Sequence, residues 1–272
     1  MICGGSIEVL VEPVSRTAAT AYETLIACRD SGTRCALVTV LGPDMRVTEK
    51  WAAAGSAVAG RLPEGIVRRA HAEERSIRER TDAGLFVVEP IEPAAPLVIF
   101  GGGHIARAIS RVAATAGFRI TIVDDRAKFA QHERFPEAAE TIVADFSQIG
   151  EIVGGKREPY VLIVTRGHRH DEAVLSQVVR TPARYVGMIG SRRKVLETYR
   201  SLIAAGIGPE ELAHVHAPMG IAIGAVSPEE IAVSIVAEMI AVRRGAAGSR
   251  FAHMSEATRA AMQETAFPAV RS

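Results

Sequence analysis

The segment Leu97-Val-Ile-Phe100 runs without a break into Gly101-Gly102-Gly103-His104-Ile105-Ala106, and Val123-Asp124-Asp125 follows about 20 residues later. A short apolar run emptying into glycines is a buried strand entering a tight turn, and the residues beyond it open a helix. Gly101 permits the turn, Gly103 lets backbone approach a phosphate, and Ala106 allows the helix to pack closely. The first N–H groups of that helix have no intrahelical acceptor and favour an anion. Asp124, ending the next strand, can accept from a ribose diol, while Arg126 leaves a 2′-phosphate open. Strand, loop, helix, strand and acid in this order predict a Rossmann-type unit for a dinucleotide-type ligand. The competing reading is a loop kept for its turn geometry alone.

Downstream, short apolar strands at Ile120–Val123, Thr141–Val143, Val161–Val164 and Tyr185–Ile189 are separated by helical stretches. Such alternation predicts a doubly wound parallel sheet with crossover helices. The last strong helix, Pro228–Arg243, opens with Ser227 as N-cap, Pro228 at its first position and Glu230 at its third, the pattern of a capping box. Upstream, a smaller N-terminal α/β domain is expected. Its strands are read at Ile7–Val11, Cys35–Leu41 and Leu85–Val88, and its helices at Thr17–Asp30 and Glu64–Arg80. Three prolines in Glu89-Pro-Ile-Glu-Pro-Ala-Ala-Pro96 mark a stiff linker. The domains are therefore 1–93 and 94–245, followed by a tail, 246–272, with one weak helix from Ser255.

Composition narrows the function. Lys and Arg total 32 against 31 Asp and Glu, a formal charge of +1, so a polyanion-binding surface has no support. With 5% aromatic residues there are few rings for stacking single-stranded bases. Nucleic acid is not an expected partner. No run approaches the roughly 20 apolar residues that cross a bilayer, and Met1-Ile2-Cys3-Gly4-Gly5 lacks a basic head before a hydrophobic core, so the expected compartment is the cytoplasm without membrane association. Cys3, Cys28 and Cys35 do not match a zinc-site spacing and are expected as thiols, Cys28 and Cys35 as small core residues.

Three further segments could carry chemistry. Thr165-Arg166-Gly167-His168-Arg169-His170-Asp171 leaves the carboxyl end of a strand, where ligands of open α/β sheets bind. The histidines could meet ligand there, or Asp171 could simply cap the next helix. Gly190-Ser191-Arg192-Arg193-Lys194 places a hydroxyl and three cations at a helix start, an anion site unless it is only a solvated basic helix. His214 to Gly224 is a glycine-punctuated loop expected to close over the crevice. Glu238 falls on a helix that is apolar nearly all round, and pairing with an arginine is the expected means of burying it. Cys3, between Met1-Ile2 and Gly4-Gly5, is either a mobile terminal cysteine or a thiol exposed for a soft metal.

Together, Cys3-Gly-Gly, Gly-Gly-Gly-His104, Val-Asp124-Asp-Arg126, Thr165-Arg-Gly-His168, Gly187-Met-Ile-Gly-Ser-Arg-Arg-Lys194, His216-Ala-Pro-Met-Gly220 and Ser227-Pro-Glu-Glu-Ile-Ala-Val-Ser-Ile-Val-Ala-Glu238 resemble the XdhC/CoxI family. These are accessory proteins of molybdenum hydroxylases such as xanthine dehydrogenase, and the likeness spans nearly the whole chain to Arg244. The resemblance implies binding of the molybdenum cofactor, as molybdopterin or its dinucleotide form, support for its sulfuration, and delivery to the apo-hydroxylase. Implied partners are that apo-enzyme, a cysteine desulfurase as sulfur donor, and a second copy of the chain in a homodimer. Family members carry a glycine- and serine-rich segment ahead of the cysteine element, and none precedes Cys3, so the first domain is expected to be incomplete at its start.

On this reading the cofactor-binding set is Gly101, Gly103, His104, Ala106, Asp124, His168, Ser191 and Arg192, with Cys3 as the metal ligand. The rival readings are an NAD(P)-dependent oxidoreductase, using Asp124 for ribose and His168 or His170 as acid/base, and a nucleotide-sensing regulatory subunit.

Overall fold

The computed structural model describes residues 9–13, 15–54, 62, 65–73 and 75–246. The chain divides into two compact units, Met1–Ala94 and Ala95–Ser272.

In the first unit, α1 (Arg16–Ser31) starts at Ser15, whose side chain accepts from the Ala18 amide, and stops at Gly32 in the left-handed conformation. It is followed by β1 (Cys35–Leu41), β2 (Val47–Ala54), α2 (Ile66–Ala72), β3 (Ile77–Thr81) and β4 (Gly84–Ile91). The strands form an antiparallel sheet in the order β2-β1-β4-β3. β1 is buried along its whole length. Ala36, Val38 and Val40 share one core with Ile66, Ala70, Phe86 and Val88. Cys28 and Cys35 are buried thiols, as expected.

The helix expected over Glu64–Arg80 is only α2; from Ile77 burial alternates residue by residue, the signature of a strand, and β3 pairs with β4 through the turn Thr81-Asp82-Ala83-Gly84. β2 was not anticipated, because its edge position leaves Thr48 and Glu49 to solvent and blunts the apolar pattern. Of the strand expected at Ile7–Val11, residues 7 and 8 lie outside the described residues, and residues 9–11 form no strand and are exposed. The stiff linker is shorter than expected: β4 continues through Pro90, which faces β1 beyond the end of β3, so its missing N–H breaks no ladder on that side.

The second unit contains β5 (Ala95–Phe100), α3 (His104–Thr115), β6 (Phe118–Asp124), β7 (Glu140–Val143), α4 (Gly150–Gly154), β8 (Tyr160–Ile163), α5 (His168–Val178), β9 (Tyr185–Met188), α6 (Arg192–Ala204), α7 (Pro209–Leu212), β10 (Val215–His216) and α8 (Pro228–Arg243). All six strands are parallel, in the order β10-β9-β8-β5-β6-β7. The sheet is covered on both faces. Leu97 and Ile99 of β5 pack with Ile109 of α3 and Ile235 of α8, whereas Val98 and Phe100 pack with Val174 of α5 and Val195 of α6. This is the doubly wound α/β architecture expected, with the order reversing between β5 and β8. The capping box of α8 forms as read: Ser227 Oγ accepts the Glu230 amide at 3.2 Å, and Glu230 Oε2 accepts the Ser227 amide at 3.0 Å. Residues 247–272, with the weak helix expected from Ser255, lie outside the described residues. Among those described, no helix is long and apolar enough to cross a membrane.

Candidate functional site

The loop between β5 and α3 sits at the carboxyl end of the sheet, beside the point where strand order reverses. Gly101 has φ +106°, and a Cβ there would lie 2.5 Å from the Val164 carbonyl oxygen, so the loop is closed tightly against the end of β8. Gly102 is the second close approach: a Cβ would lie 2.2 Å from the carbonyl oxygen of Phe129, in the segment after β6. Gly103 takes the N-cap position of α3, and a Cβ there would meet nothing within 4 Å. Close approach to protein is thus made by Gly101 and Gly102, and Gly103, expected to let backbone approach a phosphate, is the open position. His104 is exposed on the first turn, and Ala106 is buried where α3 meets the sheet.

Asp124 is 1% exposed and fully engaged. Its Oδ2 accepts the Gly102 amide at 2.8 Å, and its two oxygens take Arg126 Nε and Nη2 at 2.9 and 3.1 Å. Burial pushes this carboxyl up, but the hydrogen bonds from Arg126 and from the Gly102 and Arg126 amides outweigh it and hold the group below the usual carboxylate range. A ribose diol at Asp124 would have to displace Arg126. The Arg126 guanidinium lies 3.6 Å from the centre of the Phe129 ring, with Arg134 over the same ring at 5.0 Å. Arg134 also donates to the Gly102 carbonyl at 3.2 Å. From the end of β8, Arg166 reaches both oxygens of Asp125 at 2.7 and 2.8 Å. Because β6 and β8 flank β5, this pair joins the two strands on either side of the one that bears the glycine loop. Three guanidiniums against two carboxylates leave the surroundings of the loop cationic. Arg134 and Phe129 were missed in the sequence, where residues 125–139 carry no periodicity.

The remaining site residues fall on the next two strand ends. Asp171 does not cap α5, since Gly167 takes that position. It is fully buried one turn further on, where its Oδ1 accepts the Thr165 hydroxyl at 2.6 Å and its Oδ2 pairs with Lys194 of α6. His168 is exposed, with Nε2 3.8 Å from Glu197 of α6, and His170 packs edge-to-face on Phe146. Ser191 caps α6, accepting the Lys194 amide at 3.3 Å, and Arg192 is exposed beside it.

Glu238 does not pair with an arginine. Its Oε2 accepts the Tyr185 hydroxyl at 2.5 Å and the Gly220 amide at 2.7 Å, and its Oε1 lies 3.0 Å from His216 Nδ1. Burial raises this carboxyl, and His216, Tyr185 and Gly220 more than reverse the effect, bringing it to about 2. Tyr185 stacks on His216 at 4.4 Å, and the lack of a Cβ at Gly187 makes room for the Tyr185 ring. The loop after β10 is tied to α8, through Gly220 on Glu238 and through Ser234 Oγ donating to the Ile221 carbonyl at 2.7 Å. Cys3 lies outside the described residues. Among those described, no group of three or more His, Cys, Asp or Glu could hold a metal ion.

Sheet order, glycine loop and the acid ending the second strand define a Rossmann-type domain. The family described as the XdhC Rossmann domain matches residues 97–239, more than half of the chain. The chain belongs to that family. It is 36% identical over 153 residues to the protein YqeB of Escherichia coli K12, covering 56% of this chain and 28% of that one. It is 29% identical over 157 residues to a probable xanthine dehydrogenase subunit of Bacillus subtilis 168, covering 58% of this chain and 46% of the relative. The chain thus spans less than half the length of these two relatives. A crystal structure described as a xanthine dehydrogenase from Bacillus halodurans superposes with a TM-score of 0.67 at 28% identity, over 86% of this chain and 67% of that one.

Proposed function

We propose that this protein is an accessory factor of a xanthine dehydrogenase-type molybdenum hydroxylase: it binds the molybdenum cofactor as cargo, supports its sulfuration and delivers it to the apo-enzyme. Family membership supports the accessory role, as does the likeness to the two Bacillus proteins described in terms of xanthine dehydrogenase. The observation that carries the binding step is the open start of α3. Gly103 leaves space at the helix N-terminus, where unpaired amides and the guanidiniums of Arg126, Arg134 and Arg166 favour the phosphate or nucleotide end of such a cargo. Phosphate binding at this point asks nothing of Asp124, which keeps Arg126 and the Gly102 amide in place. Ala106 keeps α3 close to the sheet; Ser191, Arg192 and His168 offer further polar contacts at the adjoining strand ends. Cys3 is the proposed soft ligand for molybdenum.

The cargo would supply a metal centre with an exchangeable oxo ligand, which this chain would hold for a cysteine desulfurase partner, and a homodimer is the proposed assembly. An NAD(P)-dependent oxidoreductase would first need Asp124 released from Arg126. The test is metal and pterin analysis of protein produced in a host that makes the cofactor. Co-purified molybdenum and pterin are expected in the parent, with metal lost from Cys3→Ala. Protein that carries neither, yet turns over NAD(H) or NADP(H) alone, overturns the reading.

A further inference from the structure

A pocket of about 330 Å³ opens at the carboxyl ends of β6 and β7, lined by Asp125, Val143, Ala144, Asp145, Phe146 and His170. None of these belongs to the cofactor-binding set expected from the resemblance, although His170 lies in the segment whose histidines could meet ligand. We propose that this pocket receives a flat heteroaromatic ring through its 2-amino-4-oxopyrimidine edge, the edge that guanine and pterins share, and that Asp145 reads that edge. The inference rests on the proposed function, in which the crevice takes a phosphorylated cofactor, and adds where its ring lies.

The walls suit a ring. Val143, at the end of β7, is 54% exposed, an aliphatic surface turned to solvent inside a concavity. From α5, the His170 ring stands 5.3 Å from Phe146, which is itself edge-to-face with Phe100 at 6.3 Å, so the imidazole is backed by packed aromatics. The volume is near the lower end of the roughly 300–1,000 Å³ of small-molecule pockets, enough for a fused bicycle rather than a whole dinucleotide.

The charges select an edge. Asp125 is held by both terminal nitrogens of Arg166, whereas among the described residues no arginine or lysine is bonded to Asp145, on which His170 of the same pocket acts. Asp145 Oδ1 accepts the Ser147 amide at 2.8 Å, a bond that helps hold the carboxyl below its usual range and keeps it ionised. An ionised carboxylate offers about four acceptor sites and no donor. Adjacent ring N–H and exocyclic NH2 groups would give it two parallel charge-assisted bonds. Adenine sets one donor beside a ring acceptor, and that acceptor would oppose the carboxylate. The position also suits a phosphorylated ligand: β7 lies two strand spacings, about 10 Å, from the glycine loop on β5.

The test is calorimetric titration of the full chain with GMP, neopterin monophosphate and AMP, repeated on Asp145→Asn and Val143→Trp. Asn retains an oxygen for the Ser147 amide, so the turn survives, while Trp fills the pocket from an exposed position. GMP or the pterin should bind at least about tenfold more tightly than AMP. Asp145→Asn should remove most of that preference, and Val143→Trp should weaken the preferred ligand. Binding of GMP alone identifies a nucleotide as the source of the edge, and binding of the pterin alone identifies the pterin; either supports the proposal. Equal binding of AMP, an unchanged preference in Asp145→Asn, or no binding of any of the three overturns it. If parent protein still co-purifies with molybdenum and pterin in that case, only the pocket assignment falls. Ring binding by a protein that never carries molybdenum would instead defeat the proposed function and leave the pocket standing.

Discussion

Replacing Glu238 by Gln preserves side-chain volume and removes the charge, which isolates the reason a carboxylate is tolerated on an apolar helix. Three donors converge on it: Tyr185 and Gly220 on Oε2, and His216 on Oε1, at a residue with 0% exposure. Burial alone would raise the carboxyl, and the three partners outweigh it and bring the group from 4.5 to about 2. The ionised form is thus the one the fold favours. Its contribution is complete above about pH 4.5 and is lost as the pH falls toward 2. That interval corresponds to about 3 kcal/mol, at about 1.4 kcal/mol per pH decade. A Gln oxygen can still accept from Tyr185 and Gly220, but those bonds weaken from charge-assisted to neutral by about 1 kcal/mol each, and the amide NH2 must face His216. Glu238→Gln should therefore cost about 2–3 kcal/mol at neutral pH, a deficit that shrinks on acidification as the parent loses its own advantage. The assay is urea unfolding followed by far-ultraviolet circular dichroism and tyrosine emission, because Trp51 belongs to the other unit while Tyr160, Tyr185 and Tyr199 report on this one. A variant within about 0.5 kcal/mol of the parent at neutral pH, a change typical of surface substitutions, would refute the argument. So would a deficit that stays constant from neutral pH down to the acid limit of the folded state.

Three further outcomes follow from the geometry. Gly102→Ala drives a methyl against the Phe129 carbonyl and should destabilise the second unit by about 1–3 kcal/mol, whereas Gly103→Ala meets no atom and should cost only about 0.5 kcal/mol, as a poorer N-cap, while reducing phosphate affinity; thermal melts and phosphate titration separate the two. Lys194→Met leaves Asp171 buried without its cation and should cost about 3–5 kcal/mol in urea unfolding, with partial recovery in the Asp171→Asn/Lys194→Met double variant. Ser227→Ala removes the oxygen that accepts the Glu230 amide and should lower stability by about 1 kcal/mol, measured in the same way.

What the sequence disclosed and what it concealed divide by the range of the interactions involved. β5, the glycine loop, α3 and β6 are recognisable because apolar runs, a turn and a helix start are local patterns. The capping box at Ser227 is equally local, with acceptor and donor three residues apart. β2 and β3 escaped because an edge strand needs only one buried face, so exposed Thr48 and Glu49, followed by a lysine that is itself buried, and the charged run Arg78-Glu79-Arg80 read as helix surface or loop until their partners are known.

The polar sites show the same division at greater distance. That Glu238 needed a partner follows from its apolar helix. That the partners are Tyr185, 53 residues away, and His216, 22 residues away, depends on β9 and β10 lying side by side under α8, and no spacing rule encodes that. Asp124 is the subtler case. Its position at the end of β6 matches the ribose acceptor of dinucleotide folds, yet Arg126, two residues on, turns back onto it and Gly102 donates from the loop. The same acid therefore fixes the glycine loop, and in the proposed function anion recognition is assigned to the backbone of α3 and the surrounding arginines. A ligand held as proposed would be selected by its phosphate and by whatever fills the neighbouring strand ends, with no demand for a ribose at Asp124. On the proposed function that ligand is a phosphorylated pterin, so the discriminating measurements are those that vary the ring while the phosphate stays constant.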